Sequence, residues 1–523
     1  MLADSEYDLI VVGAGMCGSA AARHALALDP TLKVLLLGPR ERHPDLFDPL
    51  TPARFCCHAD EGRITRRVDP DPVWAALAAR SIARYAELEA DTGISFHTPV
   101  GFLALGSVSG AYISRVRSTV TRMGLAGQVD HLEGADELSK RFPFLNLDAL
   151  WRCRAVSGAT SNPFDPHSVC GVLEPSARQG GASGAGYISA RRLVEAQQVA
   201  FSRRGGLLLR EAAEAISPLP PFVSAQEVRP NCAPALSQGW QCIRTTSGRL
   251  LLARRVLVAT NAATNLRSLL PHRMALRLMA TTTARFLIPE STATSLRAMP
   301  AIVARFDGEP ADQHARAFGG GGGGGGGARD GDAKLSCAAD AAPAALDSCY
   351  ILPPVQYPEG YFAIKIGHGS NLEVELRGEA AMAAWYEGKD VGSRGDGVPD
   401  ARTNARARVA LTDALAALVP LAAKHRSHIV FDRCVTADTA HGRPYIAAMS
   451  TPPLSASPMA GCGTTLACCV GCNGYAAKSS DEIGRLAARL VLRADEESGG
   501  CSSWADGFDP EDFRAVYENT QRL

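Results

Sequence analysis

The chain has no surplus charge of either sign. Its 523 residues carry Lys+Arg 54 against Asp+Glu 54, which leaves no net field to hold nucleic acid or an anionic membrane as a main partner. No apolar run is long enough to span a bilayer. A cleaved leader is not expected either, because the first buried strand is expected to start by Tyr7. One C-x-x-C, Cys469 and Cys472, has Cys462 and Cys468 nearby but no second C-x-x-C or spaced histidine pair to complete a site, so no metal is expected. Cysteine itself is plentiful, 15 in all. The odd count, the irregular spacing and the missing leader point to reduced thiols rather than a disulfide framework. The length, with a hydrophobic content of 46%, allows at least two cores and hence two intimately packed domains. The oligomeric state is not legible.

The first stretch organises the rest. Residues 8–12 are a short apolar run, as expected of a strand buried in a parallel sheet. Gly13, Gly15 and Gly18 follow in G-x-G-x-x-G spacing, and residues 19–28 are rich in helix formers. Strand, turn and helix in this register point to a dinucleotide. Gly13 permits the tight turn, Gly15 lets main chain approach a pyrophosphate, and Gly18 lets the helix pack close to the strand. The helix N-terminus offers N–H groups and a partial positive charge to the phosphates. The motif does not choose between FAD and NAD. Residues 33–37 (KVLLL) read as the second strand, whose end commonly carries an acidic residue for the ribose. Gly38 stands there, followed by Pro39, Arg40 and Glu41. Either Glu41 substitutes from a shifted loop or the ribose contact is lost.

Residues 57–67 read CHADEGRITRR. On a helical turn Arg63 and Arg66 would share a face, and by themselves they read as a solvated basic helix start. With GAGMCG, the pattern H-x-D-x-x-R-I-x-R resembles the FAD-dependent oxidoreductases of the D-amino-acid oxidase superfamily. The branch it is most similar to is that of monomeric sarcosine oxidase and N-methyl amino acid oxidase. The resemblance implies FAD as cofactor, Arg63 near the flavin face, and Arg66 on the substrate carboxylate. A guanidinium suits the second task because its fork meets a carboxylate with two parallel bonds. Lys365, inside the apolar stretch 361–369, matches a lysine that holds charge beside the flavin and promotes reaction with oxygen. Without the resemblance it reads as a lysine snorkelling to a sheet edge. His368 matches a family histidine with the spacing one residue off. Cys434, after an apolar strand and before V-T-A-D-T, matches a cysteine bonded through sulfur to the methyl at flavin position 8; otherwise it is one more buried thiol. Lys478 matches the lysine completing the carboxylate clamp, after the glycine-rich turn at Gly471 and Gly474. The chain departs from the pattern at Asn261, where glycine is usual, at Thr436, where an aromatic residue is usual, and at Asn473 and Tyr475.

A coarse reading places helices over 73–92 and 403–424, and over 186–205 after a loop, with Ser189 as candidate cap. Strands are expected over 100–105, 256–261, 281–287 and 301–306, and strand, short loop and helix over 131–142. Residues 307–347, which include the glycine run 319–327, show little apolar periodicity and read as a disordered insertion in a surface loop. The expected fold is α/β (α+β overall). A Rossmann-like FAD-binding domain of residues 1–90, 155–272 and 430–495 interleaves with a mainly antiparallel substrate domain of residues 91–154 and 273–429. Residues 496–523 form a tail ending Gln521-Arg522-Leu523, a degenerate relative of the peroxisomal S-K-L signal. The expected location is intracellular, cytoplasmic or peroxisomal. The implied activity is oxidation of a small secondary or tertiary (N-methyl) amino acid: hydride passes to FAD, water hydrolyses the imine, and oxygen becomes hydrogen peroxide. Two rivals stay open, a dehydrogenase with another acceptor and a flavin-bearing assembly or binding protein without catalysis.

Overall fold

The computed structural model describes residues 6–39, 57–148, 166–176, 184–218, 240–305, 346, 348–369, 372–386, 401–449, 466–493 and 505–518. Glu41, the glycine run 319–327 and residues 521–523 lie outside them. Among the described residues, no helix is long and apolar enough to cross a membrane.

The apolar run at the start becomes the strand Glu6–Val12, the centre of an eight-stranded sheet. It pairs in parallel with Val34–Leu37 on one side and Leu250–Val258 on the other. Leu207–Leu209 and Leu466–Val470 extend the parallel part, each beyond one of those neighbours. Strand periodicity divides the central strand between two cores. Leu9 and Val11 pack against the helices Met16–Leu28 and Ser480–Arg493, while Ile10 and Val12 face the opposite side with Leu35, Leu37 and Val256.

Asp481, fully buried at the start of the last helix, ties this layer together. Its carboxylate bonds Arg23 and His24 of the first helix, Gln197 of the helix Ala190–Arg203, and Arg84 at 2.6 Å. Arg84 also explains why residues 73–92 are two helices, Pro72–Ala83 and Tyr85–Thr92, and not the single one expected. It sits at the break and is drawn onto Asp481 and Glu482, both 2.6 Å away. The expected helix over 403–424 likewise divides into Ala401–Leu418 and Pro420–Ala423, because Pro420 has no N–H to continue the ladder. Ser189 caps its helix as expected, accepting from the Arg192 N–H.

The second sheet has nine strands and is mainly antiparallel. Its longest strand, Leu276–Ile288, pairs with Phe362–His368 and Val374–Leu376 along one edge and with Ile429–Thr439 along the other. Ser348–Gln356, Ala301–Arg305, Phe102–Ser107, Val169–Glu174 and Asp130–Glu133 continue it. Val169–Glu174 and Ile429–Thr439 belong to this sheet, although the first and, from residue 430 on, the second fall in ranges expected of the nucleotide domain. A small third sheet joins Arg63–Thr65 and His97–Thr98 to Gly186–Ile188. Arg63 therefore opens a strand and Arg66 follows its end, instead of the basic helix start that the two suggest by themselves; β-branched Ile64 and Thr65 suit that extended pairing.

Candidate functional site

The nucleotide turn is built as its glycines require. Gly13 has φ +114°, and a Cβ on it would lie 2.5 Å from the Ala259 carbonyl oxygen. A Cβ on Gly18 would lie 1.8 Å from the Gly13 oxygen, so only glycine lets helix and strand approach this closely. Gly15 is different: a Cβ there would meet only the His58 ring, at 3.6 Å. The helix it precedes has no side-chain cap, so its N-terminal N–H groups suit an anion. The turn therefore fits a pyrophosphate. Gly38, the departure at the ribose position, has a steric cause, since its Cβ would lie 2.5 Å from the Ala14 Cβ and 2.7 Å from the Ala14 nitrogen. Gln198 reaches the same turn, donating to the Ala14 oxygen at 3.1 Å and accepting from Arg210 at 2.8 Å.

Beyond the turn, two carboxylates of residues 57–69 are each shared by two cations, the partly buried Asp60 and the buried Asp69. Asp60 Oδ2 accepts from both Arg63 and Lys365. Its Oδ1 accepts from the Tyr357 hydroxyl and the Gly62 N–H, each at 3.3 Å. Burial alone would raise the Asp60 pKa, but the two cations outweigh it and hold the carboxyl well below its usual range. Lys365 is 1% exposed. Burial and Arg63 lower its pKa, with Asp60 opposing them.

Asp69 makes the second cluster. Arg66 Nη2 and Lys478 Nζ reach its Oδ2 at 3.0 and 3.3 Å. Arg66 also donates through Nε to the Val68 carbonyl, and Lys478 donates to the Tyr475 carbonyl at 3.2 Å. The ammonium lies 5.2 and 5.1 Å from the ring centres of Trp74 and Tyr475. Burial, together with Arg66, pulls the Lys478 pKa down to about 8 despite Asp69. The two arginines thus serve different carboxylates, which their three-residue spacing did not reveal.

Cys434 lies inside the strand Ile429–Thr439, not after it as expected. Its carbonyl accepts from the Trp385 indole N–H at 3.0 Å, which fixes the strand there. Its sulfur and that of Cys57 both face the Val435 carbonyl, at 3.9 and 3.2 Å. The hydrogen bond from Cys57, with the fields of Arg63 and Lys365, overcomes burial and brings the Cys434 thiol down to about 6.

Gly471 and Gly474 have φ of +78° and +68°, and Asn473 between them has +49°. The Asn261 side-chain oxygen accepts from the N–H groups of Gly471 and Cys472, both at 3.1 Å. Asn261 itself has φ +47°. Asparagine tolerates that conformation, so it can stand where glycine is usual and also tie this turn down. Cys472 faces Cys17 of the first helix, sulfur to sulfur 3.9 Å.

His368 is not brought to either cluster. Strand alternation turns it, with Ile364 and Ile366, away from the face that carries Lys365. Its Nε2 accepts from the Thr282 N–H at 3.1 Å and its Nδ1 bonds the Gly369 carbonyl at 2.7 Å. Sequence reasoning missed Asp60 and Asp69. Asp60 was visible as the acidic residue of the H-x-D-x-x-R pattern; Asp69 had no local signal.

No family model matches the chain. It is 32% identical over 141 residues to monomeric sarcosine oxidase of Streptomyces avermitilis, a match covering 27% of this chain. That match spans about a third (33%) of the relative's length. Among solved structures, NikD, an unusual amino acid oxidase essential for nikkomycin biosynthesis, superposes with TM-score 0.58 at 16% identity, covering 99% of this chain and 100% of that one. Glycine oxidase from Geobacillus kaustophilus gives TM-score 0.56 at 15% identity over 98% and 99% of the two chains. L-proline dehydrogenase from P. horikoshii gives 0.56 at 12% identity over 95% and 96%. The chain has the mixed α/β fold of these amine and amino-acid oxidoreductases.

Proposed function

We propose that this chain is a flavin-dependent oxidoreductase acting on a small secondary or tertiary amino acid, N-methyl amino acids in particular. The observation that carries the reading is the Asp69 cluster. Two buried cations share one internal carboxylate there, which leaves one positive charge for a substrate carboxylate. Burying an anion is costly without such a partner, so this is where the substrate acid group belongs. FAD fits the nucleotide turn at Gly13, Gly15 and Gly18, and when bound it supplies the redox chemistry, taking a hydride from the carbon next to nitrogen and delivering electrons to oxygen to give hydrogen peroxide.

The protein's own part is binding and electrostatics. Arg66 and Lys478 hold the carboxylate and thereby orient the C–H bond, a geometric contribution worth several kcal/mol. Lys365 and Arg63 keep positive charge at Asp60, where Lys365 serves the oxygen step. The lowered Cys434 thiol suits covalent attachment of the cofactor. Water hydrolyses the imine product.

The test is anaerobic mixing of purified protein with a panel of N-methyl amino acids while flavin absorbance is followed, then admission of oxygen. Bleaching followed by fast reoxidation with peroxide release supports the reading. Bleaching without reoxidation identifies a dehydrogenase with another acceptor. Bound flavin that no amine reduces identifies a binding or assembly protein.

A further inference from the structure

We propose that the Tyr112 hydroxyl is a third donor to the substrate carboxylate, beside Arg66 and Lys478. This rests on the reading of Arg66 and Lys478 as the carboxylate clamp. Tyr112 stands in the first turn of the helix Ala111–Arg122. Its ring shares an apolar cluster with Phe102, on which the Arg66 guanidinium stacks at 4.8 Å. A second line of contacts leads to the other half of the clamp. Arg305 covers the Tyr112 ring, 5.1 Å from its centre, and donates to the Tyr475 hydroxyl at 3.1 Å. Tyr475 is the ring over which Lys478 lies.

The hydroxyl itself is the decisive observation. Tyr112 is 2% exposed, yet its oxygen has no hydrogen-bond partner among the described residues. The groups within its electrostatic reach are Arg66, Arg305, Asp69 and Tyr475, so it faces the clamp. A buried donor left without an acceptor costs free energy, which an acceptor brought by a ligand recovers. The clamp also has use for one more donor. Arg66 spends Nε on the Val68 carbonyl and Nη2 on Asp69, while Lys478 spends donors on the Tyr475 carbonyl and Asp69. A carboxylate has about four lone-pair sites to fill. Arg66, Lys478 and Asp69 together leave one positive charge, which the substrate acid already matches, so a neutral donor suits the site. Burial pushes the Tyr112 phenol up to about 12, so it keeps its proton throughout the neutral range.

The test compares parent holoprotein with Tyr112→Phe, which keeps the ring against Arg305 and removes only the hydroxyl. Both are titrated by calorimetry with methylthioacetate, the sulfur counterpart of N-methylglycine. Loss of a donor to a charged acceptor should weaken binding on the order of tenfold. The unliganded variant should melt at the parent's temperature or above, because a donor without an acceptor adds nothing to the free protein. Its affinity should still fall as pH rises through about 8, the mark of a Lys478 left in place. Unchanged affinity overturns the third donor and leaves the clamp standing. A lower melting temperature of the unliganded variant also overturns it, by assigning the hydroxyl to a bond within the fold. Loss of the pH dependence does the same, by showing that the clamp has shifted. Failure of the parent to bind methylthioacetate overturns the clamp itself.

Discussion

Arg66 and Lys478 meet on a single atom, Oδ2 of Asp69. Each is nearly solvent-free, at 6% and 1% exposure, so the carboxylate between them is what makes two buried cations tolerable. A substrate carboxylate would share this pair with Asp69.

Asp69→Asn removes the internal anion and leaves the two cations uncompensated. The expected loss is about 3 kcal/mol of unfolding free energy, measured by urea denaturation. Added methylthioacetate, a thioether that carries one carboxylate and cannot be oxidised as an amine, should restore more stability to Asp69→Asn than to the parent, since the ligand then replaces the lost carboxylate. Equal stabilisation of both proteins would count against a shared site.

The lowered Lys478 pKa sets a pH dependence with a definite sign. The group is a cation below about 8 and neutral above it. Methylthioacetate does not titrate in this range, so its affinity should be level up to about pH 8 and weaken as pH rises through that value. Lys478→Arg should keep its affinity to pH 10, because a guanidinium stays charged. A break that persists in Lys478→Arg would assign it to another group.

Covalent attachment at Cys434 predicts that acid-denatured protein keeps its yellow colour and that Cys434→Ser releases it. The thiol titrates near 6, and the thiolate is the nucleophile. Attachment to apoprotein should therefore be about tenfold slower at pH 5 than at pH 7.5. Colour lost from the parent on denaturation would rule the linkage out.

Lys365→Met should leave anaerobic flavin reduction nearly intact and slow reoxidation on the order of 100-fold, as loss of one electrostatic stabiliser does. Folding should survive, because Asp60 keeps Arg63 as partner. Stopped-flow timing of each half-reaction decides this. Slower reduction with normal reoxidation would reverse the assignment.

Legibility in the sequence followed distance along the chain. The strand, turn and helix at Gly13, Gly15 and Gly18 were readable because their constraints lie within a few residues. The same holds for the Ser189 cap. Arg63 and Arg66 were found by motif, yet their separation onto Asp60 and Asp69 depends on Lys365 and Lys478 from remote segments. The break at Arg84 was hidden for a similar reason, since its cause sits on Asp481 and Glu482. The steric reason for Gly38 became visible only once Ala14 was seen against it. Lys365 and His368 were read onto one strand, and their three-residue spacing alone already puts them on opposite faces of it.

Asp481 also has a bearing on when this protein can become itself. It joins the first helix to the last, so the opening strand and helix of the chain have no complete neighbourhood until residue 493 has been made. At roughly 5–20 residues per second, that is a wait of about half a minute to a minute and a half on the ribosome. Until then the apolar face of the helix Met16–Leu28 that packs on Ser480–Arg493 stays uncovered, the kind of transient exposed surface that chaperones shield.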